Sequence, residues 1–365
     1  MFIYLIIILF LLYCVNQYDN KGSNGRFAYI FIWIFLILLI GLQYKMGGDN
    51  LAYEEEFAMR PSLQNITRED FILGSREQPL WKLFVGVVKS ISNNYTSFHI
   101  IHSILLNSII AVFFYKTSSR KFLATLLFFI SFDFFYFNIE IQRESLAIAV
   151  FCLAFYKLQK KQYLRYYILA LIAFLFHASA AFLFIVPLIY YFYSNKKFKL
   201  LSVILIVFFL SFSFIQESIM GSGLEVVQKM HQQASHYQEL EANKFSTLIV
   251  AIFNCIPFLI FMSLKKYNHT NSKFFMFCIL MYCLFDIVNV FTNYTYRFRN
   301  YMFPFVLVYL SSLYGVPKMY KKYIIAAYLM LAVVYIYRYT YPATFLGSNA
   351  KLYEMYIPYR SVLLN

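Results

Sequence analysis

Charge is scarce in this chain: only 13% of its 365 residues are Asp, Glu, Lys or Arg, against 61% hydrophobic, and the mean hydropathy is +0.61. That leaves too little polar surface to coat a water-soluble globule and predicts an all-α, polytopic integral membrane protein. No Gly-, Ser- or Pro-rich linker and no soluble-sized polar stretch divides the chain, so residues 1–365 read as one membrane domain without a large soluble module. Cysteine is sparse too. Cys14, Cys152, Cys255, Cys278 and Cys283 all fall inside apolar runs with no CxxC pair, the pattern of small buried hydrophobes rather than disulfides or metal ligands. Also missing are a GxxxxGK[ST] loop for ATP, an HExxH motif and an Asp-x-Asp pair for a divalent metal, so no cofactor and no metal are expected. The apolar start, Phe2 to Val15, has neither a basic n-region nor a small-residue cleavage site before Asn16, and reads as the first span rather than a removed signal.

What the chain does have is apolar runs. They fall near 2–16, 27–43, 98–115, 121–137, 139–156, 163–177, 178–193, 199–215, 246–264, 273–291, 300–316 and 322–338, about twelve transmembrane or partial helices. The stretch 79–91 is amphipathic and short, and is expected to lie in the outer interface without spanning. With the N-terminus outside, the loops 17–26, 116–122, 157–165, 194–199, 265–273 and 317–322 face the cytoplasm and hold 18 of the 32 Lys and Arg. Of the 17 carboxylates, Asp19 alone falls in those loops. The formal charge of +15 therefore belongs to short clusters that meet anionic membrane lipids, and nucleic-acid binding is not expected. Outside lie the stretch 44–97, a loop 216–245 with the amphipathic spacing of a lid, and a tail 339–365. Residues 163–193 hold two crossings in little length, either a short pair or one tilted span; the paired reading keeps the acidic 216–245 loop outside.

Ionisable residues in or beside the spans mark where to look for chemistry, because exposing one to lipid costs several kcal/mol. A helix starting near Asn138 puts Arg143 about one turn inside, on one face with Glu140 and Glu144. Arg143 is then either a functional cation or half of a structural ion pair with one of those glutamates. His177 interrupts the apolar run Phe174 to Ala180 at an outer turn and fits a base or a hydrogen-bonded core histidine equally well. Arg297 ends Asn293-Tyr294-Thr295-Tyr296-Arg297, with Arg299 and Asn300 following, and fits a ligand contact or a snorkelling side chain. Asp133 and Asp286 lie near outer span ends as partners or pathway residues. His231 and His236, five apart, read as surface histidines. The parity of the spans sends Asp49, Glu77, Arg143, His177 and Arg297 to one outer face from five segments.

These residues resemble the EpsG-like branch of the Wzy polysaccharide polymerases, in a pattern spread over residues 44 to 300. Its parts are Gly48-Asp49 with Tyr53, Glu77-Gln78-Pro79-Leu80, Arg143-Glu144 followed by Ala147, His177-Ala178-Ser179-Ala180, and Tyr294 with Arg297. Members often carry Arg-Gln where this chain has Arg143-Glu144. The resemblance implies a GT-C-like membrane glycosyltransferase in the bacterial inner membrane, with its site facing the periplasm. It also implies an undecaprenyl-diphosphate-linked oligosaccharide as substrate, and a repeat-unit flippase and a chain-length regulator as partners. Such a transfer needs a cationic clamp for the departing diphosphate, which Arg143 and Arg297 can supply as planar bidentate donors. It also needs a base, for which His177 and Asp49 rank above Glu77. Tyr53, Tyr294, Glu144 and Arg299 complete the expected substrate-binding set. A glycolipid transporter or flippase and a membrane acyltransferase with His177 as its base are the alternatives. The short basic cytoplasmic loops speak against the first, and two outer arginines without a task against the second.

Overall fold

The computed structural model describes residues 2–22, 24–67, 78–131, 133–197, 273–292, 295–313 and 356–364, with 248, 251–252, 255, 320, 322–324, 326, 329–330 and 333. These residues are helical throughout, apart from turns and one isolated β-bridge. Helix α1, Phe2–Cys14, continues as a π-helical turn, Val15–Asn20. Then come α2 (Arg26–Gly41), α3 (Asn50–Met59), α4 (Pro79–Ile91), α5 (Tyr95–Thr117) and α6 (Lys121–Ile130). Past a broken stretch at 133–140 follow α7 (Gln142–Gln159), α8 (Tyr163–Phe176), a 3-10 segment at Ala178–Phe184 and α9 (Val186–Ser194). Helices α10 (Lys273–Thr292) and α11 (Tyr296–Leu313) form a later pair.

Among the described residues, three helical stretches are long and apolar enough to cross a bilayer: Phe2–Asn20, Tyr95–Thr117 and Lys273–Val290. A fourth arises if Lys121–Ile130 and Asp133–Glu140, bent by 84°, count together. Helix α2, helix α8 and the 178–194 segment are apolar but shorter. The expected segments 199–215 and 246–264, most of 322–338, and the loop 216–245 with His231 and His236 lie outside the described residues. The amphipathic stretch at 79–91 forms α4 with those same bounds; Pro79 starts it, where a missing N–H costs nothing.

The core is built around α7, whose residues Glu144 to Cys152 are all buried. Small side chains on this helix, Ser145, Ala147, Ala149 and Ala154, let neighbouring backbones approach, and α8 meets it through Ala170 and Ala173. Phenylalanines fill the remainder, with Phe155 and Phe274 at 4.7 Å and Phe113 and Phe305 at 4.9 Å between ring centres. Some of the polar groups inside bond one another or the backbone: Asn107 Nδ2 donates to Asn138 Oδ1 at 2.7 Å, and Ser103 Oγ to the Ile37 carbonyl at 3.0 Å.

The two ends of the bundle differ. At one end Asp19 Oδ2 accepts from the Leu123 N–H at 2.8 Å, Arg120 reaches the Asp19 carbonyl, and Ser118 bonds Ser311 near the C-terminus of α11. Two of the basic loops thus meet around the lone carboxylate in that set. The far ends of α5, α7 and α11 point the other way, toward the loop that follows α2. The chain also doubles back at His177: Tyr166 Oη donates to the Leu183 carbonyl at 2.8 Å, and Phe184 stacks on Tyr167. Residues 163–193 are a short pair of segments, not one tilted helix.

Candidate active site

Helix α7 begins at Gln142, not near Asn138, because residues 136–140 form a π-helical turn and Ile141 adopts φ −119°, ψ 44°. Arg143 therefore lies in the first helical turn. The break also rotates Glu140 out of the register that would align it with Arg143 and Glu144. Glu144 is fully buried. Its Oε2 accepts from Arg297 Nη1 at 3.3 Å and its Oε1 from Asn300 Nδ2 at 3.1 Å. A carboxylate in a dry site needs this compensation, and losing either partner leaves buried charge exposed to a low dielectric.

His177 ends α8, held by its own N–H to the Ala173 carbonyl at 3.0 Å. Both ring nitrogens are engaged. Arg297 Nη1 sits 3.1 Å from Nε2. Nδ1 lies 2.6 Å from Ser179 Oγ and accepts from the Ser179 N–H at 3.3 Å; Ser179 Oγ in turn bonds the Tyr301 hydroxyl at 2.9 Å. Nδ1 lies 4.0 Å from Glu144 Oε2.

Arg297 is presented by the tight connection between α10 and α11. Thr295 Oγ1 donates to the Phe285 carbonyl at 2.9 Å, and Asn289 Oδ1 accepts from the Tyr296 N–H at 3.0 Å, satisfying a donor at the start of α11. On that helix Arg297, Asn300 and Tyr301 stand at i, i+3 and i+4, which brings all three to the Glu144–His177 side. Arg299 serves another contact: its Nη1 meets Asp286 Oδ1 at 2.7 Å, both side chains are buried, and its guanidinium lies over Tyr282.

The Asp49 side approaches from the loop after α2. Glu140 holds it, with Oε1 accepting from the Gly48 N–H and Oε2 from the Asp49 N–H, each at 2.9 Å. Asp49 starts α3, and one turn later Tyr53 offers its ring to the Arg143 guanidinium at 5.6 Å and its hydroxyl to the Glu140 carbonyl at 3.4 Å. Burial pushes the Tyr53 phenol up to about 12, against the opposing charge of Arg143, so it stays a donor at neutral pH.

Of the residues expected from the sequence, Glu144, His177 and Arg297 are in direct contact, Arg143 precedes Glu144 in the first turn of α7, and Tyr53, one turn after Asp49, lies under the Arg143 guanidinium. Arg299 belongs to the adjoining ion pair with Asp286. Glu77 and Tyr294 lie outside the described residues. Sequence reasoning named Ser179 and Asn300 beside His177 and Arg297 but gave them no role, and it overlooked Tyr301. The helical spacing of Asn300 and Tyr301 from Arg297 would have found them.

A family model described as the EpsG family matches residues 26–361, and the chain belongs to that family, a polysaccharide-polymerase type of membrane protein. No curated protein and no solved structure matches the chain.

Proposed function

We propose that this protein is a membrane glycosyltransferase that polymerises undecaprenyl-diphosphate-linked oligosaccharide repeat units, with its site at the outer face of the bacterial inner membrane. One observation carries the reading: Arg143 and Arg297 occupy the first turns of two separate helices, Arg297 against His177 and Arg143 one residue before the Glu144 that Arg297 meets. Helix N-termini already carry partial positive charge, so placing cations there is unfavourable by about 0.3–1 kcal/mol each unless an anion completes the site. Two guanidiniums and two helix N-termini together suit a diphosphate.

In the reaction, an acceptor sugar hydroxyl attacks the anomeric carbon of the donor repeat. The new C–O bond forms as the bond to the diphosphate oxygen breaks, and that oxygen keeps the electron pair. Arg143 and Arg297 stabilise the departing charge. His177 Nε2 takes the hydroxyl proton, with Ser179 holding the Nδ1 edge of the ring in place; Asp49 and, from outside the described residues, Glu77 are the other candidate bases. Arg297 covers Nε2 in the structure. An arriving diphosphate draws that guanidinium toward itself and uncovers the lone pair, so the base is released only when a donor is bound. Tyr53 and Tyr294 contribute sugar and diphosphate contacts, Glu144 tunes Arg297, and Arg299 braces the start of α11. A repeat-unit flippase and a chain-length regulator are the partners this role calls for.

A deletion strain tests the reading. Lipid-linked single repeats should accumulate while long chains vanish, and neither Arg143→Ala nor Arg297→Ala should restore them at normal protein levels. Repeats retained on the cytoplasmic leaflet would identify a flippase instead, and acceptance of both variants as functional would remove the leaving-group assignment.

A further inference from the structure

Glu140 accepts hydrogen bonds from donors that belong to other segments of the chain. Besides the Gly48 and Asp49 N–H groups, its Oε1 accepts from the Tyr356 hydroxyl at 2.7 Å. Tyr356 belongs to the far end of the chain. Its carbonyl accepts from Tyr4 Oη at 2.6 Å and its ring packs on Phe135, five residues before Glu140. From there the segment crosses the foot of the 42–48 loop. Tyr359 Oη donates to the Leu39 carbonyl at 2.8 Å, the Tyr44 N–H to the Arg360 carbonyl at 3.0 Å, and the Val362 N–H to the Leu42 carbonyl at 2.9 Å. Gln43 and Ser361 form the β-bridge between them. Gly47, with φ +84°, fits this press: a Cβ there would lie 2.3 Å from Ile139 Cγ2 and 2.6 Å from Glu140 Oε1.

The same carboxylate therefore ties three things together: the arm carrying Asp49 and Tyr53, the turn leading into Arg143, and the C-terminal segment. We propose that Glu140 is a positioning residue of the transfer site and that residues 356–362 are a strap, acting through Tyr356, which holds the Asp49–Tyr53 arm against Arg143. This rests on the polymerase reading above. Glu140 touches no reacting atom in this scheme; it fixes where Asp49 and Tyr53 stand relative to the arginine. A carboxylate is required, because three donors converge on its two oxygens and an amide would turn an N–H against one of them.

The test uses the full-length protein in lipid vesicles with the host's lipid-linked repeat unit, comparing Tyr356→Phe, Glu140→Gln and Arg143→Ala. Tyr356→Phe should lower kcat about tenfold, the scale of one lost hydrogen bond to a charged group, and Glu140→Gln should lower it further. KM for the lipid-linked donor should stay at the parent value, and the loss in kcat should persist well below the thermal midpoint of each variant. Unchanged kcat in both variants overturns the proposal. So does a loss of activity that tracks a fall in the midpoint, which would mean a stabilising tie only, and so does a loss carried by KM, which would mean direct donor contact. Arg143→Ala separates the two levels: if it too turns over normally, the polymerase site has been misassigned, whereas an inactive Arg143→Ala beside a fully active Tyr356→Phe and Glu140→Gln refutes the strap alone.

Discussion

At Glu144 a buried carboxylate accepts one hydrogen bond from a guanidinium and one from a neutral amide, and both contacts require only an acceptor oxygen. An amide oxygen can replace one of them, and Asn300, unlike the backbone donors on Glu140, can turn its own side-chain oxygen to accept from the new N–H. Glu144→Gln should therefore keep polymerisation within about threefold, while Glu144→Leu, which strands Arg297 and Asn300 without acceptors, should cost about 3–5 kcal/mol of stability and lose activity. Chain-length profiles and thermal midpoints of the two variants decide this, and a dead Glu144→Gln protein would mean that the negative charge itself is used. Ser179 makes a second case. Ser179→Ala removes the hydroxyl that holds the His177 ring, so turnover should fall about tenfold or more, and Ser179→Thr, which keeps the hydroxyl, should restore it. Equal turnover in the alanine and threonine variants would remove Ser179 from the mechanism. At this scale the sequence was informative about identity and weak about partnership. Arg143, His177 and Arg297 stood out because ionisable groups in apolar runs need a reason to be there. Which carboxylate served which arginine was not legible: helical spacing grouped Glu140 with Arg143 and Glu144, and the irregular backbone at 136–141 sends Glu140 to Gly48 and Asp49 instead.

Among the elements, the broken ones hold the site. The π-helical turn before α7, the reversal at His177 and the short link from α10 to α11 each end a helix where a functional side chain is needed. Irregular backbone survives at membrane depth only where its polar groups are bonded, and here the side chains of Glu140, His177 and Asn289 supply those bonds. Gly47 is the element-level test. Gly47→Ala must hold φ near +84° with a methyl group against Ile139, so the protein should lose about 1–3 kcal/mol, read as a lower thermal midpoint, and polymer output should drop with it. A wild-type midpoint would show that the loop relaxes freely. Regular elements were readable from hydropathy: the amphipathic 79–91 stretch and the span at 273–291 appear with nearly the expected bounds. The breaks were not, since a π-helical turn and a 3-10 segment leave the apolar pattern intact while shifting its register.

For the molecule as a whole, the sorting of charge along the sequence corresponds to two distinct ends of the bundle. Asp19, Arg120 and Ser118 gather at one, and Glu140, His177, Arg297 and the 356–362 segment at the other. The orientation that follows predicts that a membrane-impermeant thiol reagent added to intact cells labels Gln64→Cys but reaches Asn195→Cys only after lysis. The reverse pattern would turn the protein over and put the arginines in the cytoplasm. The most direct measurement of the central claim is reconstitution of the purified protein in sealed vesicles with lipid-linked repeat units, following chain length and released undecaprenyl diphosphate together. The account predicts a ladder of lengthening chains, one lipid diphosphate freed per repeat joined, and loss of both with Arg297→Ala. Movement of single repeats across the bilayer with no ladder, or an undiminished ladder from the Arg297→Ala protein, would contradict it.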